Sequence, residues 1–293
     1  MYHSLHRSQF KPSVQGRRNR FCLPETRHAL TLVELMIGMS LLSMLAVVLS
    51  GLVSAVSSSR NYTAGLEEAN IQSQAALDRI KYIASHAGVY QTTGQETVPG
   101  FAVVTHNRNG QTIPDTLVIW SGGRSGGLAT QGPLDRLPVV NELLIYTPNP
   151  NNPAQLVELV VSTNSNTIDF KSQSFDTTIR SLITRDDAEM LRVMDRLRVT
   201  NLANDGSTSG NTGCVWFELS QTPNDAAIAS ATVGTESWMA LPWVQGIAAG
   251  SNGLRQVTIN IELQANTDYH NKIDSTDTQP FLGALSYRYV YQP

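Results

Sequence analysis

From Leu30 to Ser59 the chain reads LTLVELMIGMSLLSMLAVVLSGLVSAVSSS, thirty residues in which Glu34 is the only charge. The 22 residues 35–56 would form a helix of about 33 Å, against a bilayer hydrocarbon core of about 30 Å, so one membrane crossing is allowed. The pattern then changes. Tyr62, Leu66, Ala69, Ser73, Ala76, Leu77, Ile80, Ile83 and Ala84 recur at three- and four-residue steps, with Glu67, Glu68, Asn70, Asp78 and Lys81 between them. That is an amphipathic helix with a narrow apolar stripe rich in small residues, suited to lying on a sheet. His86-Ala87-Gly88 supplies a stop, and no proline occurs between Pro24 and Pro99. One uninterrupted helix over 30–87 would be about 87 Å long. A body of this size cannot bury it, so lipid or other subunits must cover its first half.

After Gly88 the pattern breaks into short β-type runs at 101–104, 116–120, 139–146, 156–161, 214–219, 256–263 and 282–291, separated by turn-rich segments. Val257-Thr258-Ile259-Asn260-Ile261-Glu262-Leu263 alternates apolar and polar, which predicts an antiparallel sheet with one wet face. Residues 186–199, with Ala188, Met190, Leu191, Val193, Met194 and Leu197, read as a second, short helix. The polar stretches 201–213 and 264–277 read as exposed loops, and no internal repeat is visible. The expected fold class is α+β: a long N-terminal helix packed on an antiparallel β-sheet body.

Charge divides the chain. Of 21 Lys+Arg, six lie in residues 1–29 beside a single acid, Glu25, which leaves 15 basic against 23 acidic residues from Leu30 onward, a net of −8. A body so charged is poorly suited to neutralising phosphates, so no nucleic-acid partner is expected. Lys11, Arg17, Arg18, Arg20 and Arg27 precede the apolar run, whereas only Arg60, Arg79 and Lys81, offset by three acids, follow it up to Ala87. The positive-inside rule therefore places the leader in the cytoplasm and the body outside it. A secretory signal peptide would show a shorter apolar run, about 7–15 residues, with a small-residue cleavage site after it. Here the run is about twice as long, and Ser54-Ala55-Val56-Ser57 offers only weak sites.

A carboxylate at the start of a membrane helix is costly unless compensated. Cleavage between Ala29 and Leu30 would create an α-amino group about 6 Å from Glu34, able to pair with it within one chain or between neighbours. Arg27-His28-Ala29-Leu30-Thr31-Leu32-Val33-Glu34-Leu35-Met36-Ile37 resembles the prepilin motif of type IV pilins and type II secretion pseudopilins. Ala29 stands where that family usually has glycine, and Leu30 where it usually has phenylalanine. The resemblance implies a leader, 1–29, removed by a prepilin peptidase, a methylated N-terminus at Leu30 and an assembly carboxylate at Glu34. It further implies a transmembrane and assembly half-helix over 30–58, an amphipathic half over 59–87 and an exported β-rich domain over 88–293. The implied partners are the peptidase, inner-membrane lipid before assembly and the helices of other pilin or pseudopilin subunits. The size of the body is similar to minor subunits of the W-type pilin or J-type pseudopilin kind, structural and not enzymatic, at or near a filament tip or in its initiation complex.

Other candidate chemistry is sparse, and neither a cofactor nor a metal site is expected. Gly122-Gly123-Arg124-Ser125-Gly126-Gly127 could cradle an anion through backbone amides but lacks the lysine and helix of a phosphate loop, and reads as a turn. His86, His106 and His270 share no metal-ligand spacing. Arg185-Asp186-Asp187-Ala188-Glu189 reads as the capped, acidic first turn of the 186–199 helix, and Asn204-Asp205-Gly206 as a turn. Cys22 and Cys214 flank the apolar run and make no disulfide framework; Cys214, in Cys214-Val215-Trp216-Phe217, reads as a buried strand, with a catalytic or linking role left open. Trp238, Pro242 and Trp243 form either core or an interface ledge. No nucleophile-elbow pattern is present. The alternative function, an exported enzyme or carbohydrate-binding domain on an ordinary anchor, requires a pocket of convergent polar groups in the body.

Overall fold

A computed structural model describes residues 31–92, 96–108, 110–128, 132–201, 211–232, 234–242, 254–267 and 280–291. Its contacts separate two units, 1–54 and 55–293. A single helix, α1 (Leu32–Ser85), runs through the boundary without a break, as the proline-free sequence allows. In the first unit every described residue is exposed, and by length and composition α1 is able to cross a membrane.

In the second unit α1 buries Gly65, Ala69, Ser73, Ala76, Leu77, Ile80, Ile83 and Ala84. Seven of these nine-residue-stripe expectations hold; Tyr62 and Leu66 stay exposed, and Gly65 takes a buried place that the stripe did not include. Then follow β1 (Val89–Gln91), β2 (Thr97–Pro99), β3 (Phe101–Arg108), β4 (Gln111–Trp120), a 3-10 turn (Val140–Glu142), β5 (Leu143–Asn149), β6 (Asn152–Val160), α2 (Phe175–Ile183), β7 (Glu189–Met194), β8 (Val199–Asn201), β9 (Asn211–Gly213), β10 (Val215–Thr222), α3 (Asp225–Ala229), α4 (Glu236–Met239), β11 (Arg255–Ala265) and β12 (Phe281–Tyr291). A five-stranded sheet has the order β3-β4-β5-β6-β7 and a three-stranded sheet the order β10-β11-β12, both antiparallel throughout. The chain is thus α+β. Two-stranded ribbons, β1-β2 and β8-β9, pair as well.

The two sheets read differently in sequence because they are buried differently. On the five-stranded sheet Leu117, Ile119, Leu144, Tyr146, Leu156 and Val160 join one apolar cluster, while Val118, Trp120, Leu143, Ile145, Leu159 and Val161 join a second. Over β5, β6 and the second half of β4 both faces are covered, so these strands are near-continuous apolar runs, whereas β7 at the edge is mostly exposed. The first cluster holds Ala69, Ala76, Leu77, Ile80, Ile83 and Ala84 of α1 and the inner residues Val257, Ile259, Ile261 and Leu263 of β11. The second holds Phe175, Ile179, Leu182 and Ile183 of α2. Only the three-stranded sheet alternates, because its other face is open, with Trp216 and Leu282 exposed.

The expected helix at 186–199 is a strand. Met190 and Leu191 pair across to Leu159 and Glu158 of β6, and a bulge between Leu156 and Val157 shifts the register toward Met194. A run of this length satisfies both periods, and the open edge of β6 decides. The second helix is α2 instead, whose buried residues at four-, three- and one-residue steps carried a helical signal that the reading passed over. Val139 makes only an isolated antiparallel bridge to Thr167, and Val140–Glu142 form a 3-10 turn and not the start of a strand. The stretches expected as exposed loops are partly buried: Thr212 lies in β9, and Asn266 and Thr267 are buried beyond β11, where Asn266 N–H donates to Arg196 O at 2.7 Å.

Gly88, in the expected stop just past the helix end, has no positive φ and serves a close backbone approach instead. Its N–H donates to Trp120 O, Gly100 N–H donates to Gly88 O, and Trp120 N–H donates to Gly100 O, each at 2.8 Å. This backbone ring lies against the buried Trp120 side chain. A Cβ on Gly88 would meet the indole at 3.0 Å, and one on Gly100 would stand 2.9 Å from both Gly88 O and Trp120 Cβ. Since backbone cannot give way there, Gly100→Ala is expected to cost about 1–3 kcal/mol. Thermal unfolding followed by tryptophan fluorescence should show a melting point several degrees lower; an unchanged one would remove the glycine ring from the account.

Candidate functional site

Glu34 sits in the first turn of α1, and its surroundings follow from Thr31-Leu32-Val33-Glu34. Glu34 Oε2 accepts from Thr31 N–H at 2.9 Å and from the Thr31 hydroxyl at 3.0 Å, while Glu34 N–H donates to Thr31 Oγ1 at 3.3 Å. This is a capping box: two helix-start donors are satisfied reciprocally, and the carboxylate sits at the positive end of the helix dipole. This local partner is legible in the sequence as T-x-x-E, beside the terminal amine expected there. Ala29 and Leu30, the expected cleavage pair, lie outside the described residues.

Around Glu34 the surface is apolar. Between Leu32 and Val56 sixteen large apolar side chains are exposed, from Leu49 at 52% and Val56 at 50% to Leu32 at 74%. Ser40 and Ser43 hydroxyls donate to the carbonyls of Ile37 and Ser40 at 2.8 Å, so they offer little to an outside partner. Beside Glu34, Leu35, Met39 and Leu42 border a shallow groove floored by Gly38, Ser43 and Ala46. Nothing lies within 4 Å of a Cβ built on Gly38, so this chain's own fold does not require the glycine.

A second constellation lies in the body and was not foreseen. Glu158 on β6, fully buried, accepts from Arg79 Nε at 2.8 Å and Arg79 Nη2 at 3.1 Å, and from the Tyr146 hydroxyl at 2.9 Å. Arg124 Nε stands 3.4 Å away, and Arg124 Nη1 bonds Glu189 at 3.0 Å. The bond to Glu158 raises the Arg79 guanidinium above its ordinary value. Burial, followed by the Glu158 charge, pushes the Tyr146 phenol well up. A buried carboxylate persists only with such partners. No sequence spacing announces them, since α1, β5, β6 and the glycine loop contribute one side chain each.

That glycine loop is a mount for Arg124. Gly122, Gly123, Gly126 and Gly127 all have positive φ, and two amides are already used: Gly123 N–H donates to Glu142 O and Gly126 N–H to Gly123 O. The anion-cradle possibility loses those donors. The acidic run does not cap a helix either: Asp187 accepts from Arg185 at 2.7 Å and from Thr163 at 2.6 Å, and Glu189 starts β7.

His86 bonds the Tyr82 carbonyl at 2.8 Å and His106 pairs with the buried Asp115 at 2.5 Å, so the two histidines have separate partners; His270 is outside the described residues. Among the described residues no group of three metal-ligating side chains comes together. Trp238 is buried on α4, whereas Trp243 and 204–206 lie outside the described residues. Cys214 sits one residue before β10, half-buried, and lines a groove of about 540 Å³ with Thr212, Trp216, Glu262, Gln264 and Leu282. Among the described residues that lining contains no histidine to act as a base toward the thiol.

Removing Arg79 strands Glu158 with Arg124 and Tyr146. Allowing for the partial exposure of Arg79, Arg79→Ala should cost about 2–4 kcal/mol. Adding Glu158→Gln should recover more than half of that loss, because the stranded charge is gone. Urea unfolding of the four chains of this cycle checks it; additive losses would mean that the pair is not coupled.

Compared with protein-family models, with curated proteins and with solved structures, the chain matches none.

Proposed function

We propose that the chain is a minor pilin or minor pseudopilin, a structural subunit of a type IV pilus or a type II secretion pseudopilus, at or near the filament tip or in its initiation complex. The observation that carries the reading is a helix half with apolar side chains exposed all round and one carboxylate, Glu34, at its start. Before assembly, inner-membrane lipid covers that surface; afterwards the helices of other subunits do. Prepilin peptidase removes residues 1–29 between Ala29 and Leu30 and methylates the new terminus. The amine of Leu30 then pairs with Glu34, its own or a neighbour's, as the subunit leaves lipid.

In this reading the second half of α1 lies along the β body, and Arg79 with Glu158 binds the two together, so a pull on the helix reaches the folded domain. The N-terminus is cytoplasmic before processing and the body is exported. Assembly, and not catalysis, is the activity, with no cofactor and no nucleic acid required.

The capping box sharpens the test. Glu34→Ala should leave membrane insertion intact and abolish entry into filaments, while Thr31→Val, which removes the cap hydroxyl but keeps the carboxylate, should lower entry only modestly. Equal losses would reduce Glu34 to a helix cap. Mass spectrometry of the mature chain should show a methylated Leu30; an intact Met1 or a start near Ser57 overturns the reading.

A further inference from the structure

The open face of the three-stranded sheet carries a groove of about 540 Å³ that assembly through α1 does not use. Its size falls within the range of small-molecule sites, about 300–1,000 Å³. Strand register builds it. Trp216 of β10 stands opposite Glu262 of β11, and Glu262 opposite Ala284 of β12; one step along, Gln264 stands opposite Leu282. Side chains two residues apart share a face, so these form two rows about 7 Å apart, on the face turned away from the buried Ile261 and Leu263. The Trp216 side chain is 47% exposed and Leu282 67%. Ala284 adds only a methyl group, which leaves room beside the carboxylate of Glu262.

The polar groups around this groove are left over from folding. Glu262 has no hydrogen-bond or ion-pair partner among the described residues. Gln264 Oε1 accepts from Arg198 Nη1 at 3.2 Å, which leaves the Gln264 amide nitrogen as a donor. Thr212, opposite Thr200 in the β8-β9 ribbon, lines the groove and is 2% exposed, yet its hydroxyl has no hydrogen-bond partner. A buried hydroxyl left without a partner is costly, and valine would fill the same space. A group kept at that cost points to a partner from outside the chain.

The mixture of groups selects the ligand. Among the described residues the lining holds one charge, Glu262, and no lysine, arginine or histidine, so a phosphate or an acidic peptide finds no counter-charge. An ammonium group wants acceptors and an aromatic cage; here one indole stands with the amide donors of Gln111 and Gln264. A sugar hydroxyl both donates and accepts, and so matches carboxylate, amide and hydroxyl together. A pyranose whose ring substituents are all equatorial also turns a flat face of C–H bonds to an indole while its hydroxyls point out from the rim. We propose that this groove binds a neutral β-linked glycan of gluco configuration. Trp216 is the stacking platform, and Glu262, Gln264 and Thr212 hold the hydroxyls.

The full chain, in a detergent without a sugar headgroup, is titrated calorimetrically with cellohexaose, chitohexaose and the α-linked maltohexaose. At least one β-linked chain should bind, and maltohexaose about tenfold more weakly or not at all. Binding of chitohexaose alone assigns an N-acetylated glycan, and of cellohexaose alone an unsubstituted one. Trp216→Ala should weaken binding about tenfold or more, and Glu262→Gln roughly threefold to tenfold, both with an unchanged melting point. Thr212→Val should weaken binding while the melting point stays equal or rises, because the hydroxyl has no partner inside the fold. No heat with either β-linked chain, equal binding of maltohexaose, or a Trp216→Ala chain that binds as before overturns the assignment. So does a Thr212→Val chain with a lower melting point and unchanged binding. The filament reading stands or falls separately, since Trp216→Ala should enter filaments like the parent chain.

Discussion

Apolar surface out of water is worth roughly 25 cal/mol for each Å², and between Leu32 and Val56 this helix presents such surface on every side. No segment of the described body covers it. By length and composition such a helix is able to cross a membrane. Ser40 and Ser43 turn their hydroxyls back onto the helix backbone. Glu34 closes the first turn on Thr31, which reduces the cost of an acid at that position without neutralising it.

In the body the problem is the reverse, since the helix must be held by few and small side chains. Ala69, Ser73, Ala76 and Ala84 bury little area each, so close approach substitutes for bulk. Polar contacts add direction: Arg79 to Glu158, Gln72 to the backbone of Asp195 and Tyr289 to Ala87 O. The glycine ring around Trp120 then fixes where the helix ends and β1 begins. Together these contacts let a helix with a thin apolar stripe carry a folded domain.

Much of this was legible. Thirty residues with one charge, the proline-free interval and the stepped stripe gave α1 nearly to its ends, and the alternation in 257–263 gave an antiparallel sheet with one open face. What misled was the short amphipathic run. Residues 188–197 fit a helical period, yet β6 offers them a free edge; Phe175–Ile183 fits it as well, and there the helix forms. The acids Asp186 and Asp187, read as a cap, belong to the turn that delivers Glu189 to Arg124.

The chain pattern by itself determined the apolar half-helix, its solitary carboxylate and the class of the fold, because periodicity and composition are local properties written residue by residue. Only the tertiary structure decided that Glu158 is a buried anion shared by Arg79, Arg124 and Tyr146, that Gly88 and Gly100 are demanded by an indole, and that residues 189–194 join β6 as a strand. Each of those depends on segments tens of residues apart arriving at one place. Pairing energies between distant strands leave no periodic trace in any one of them.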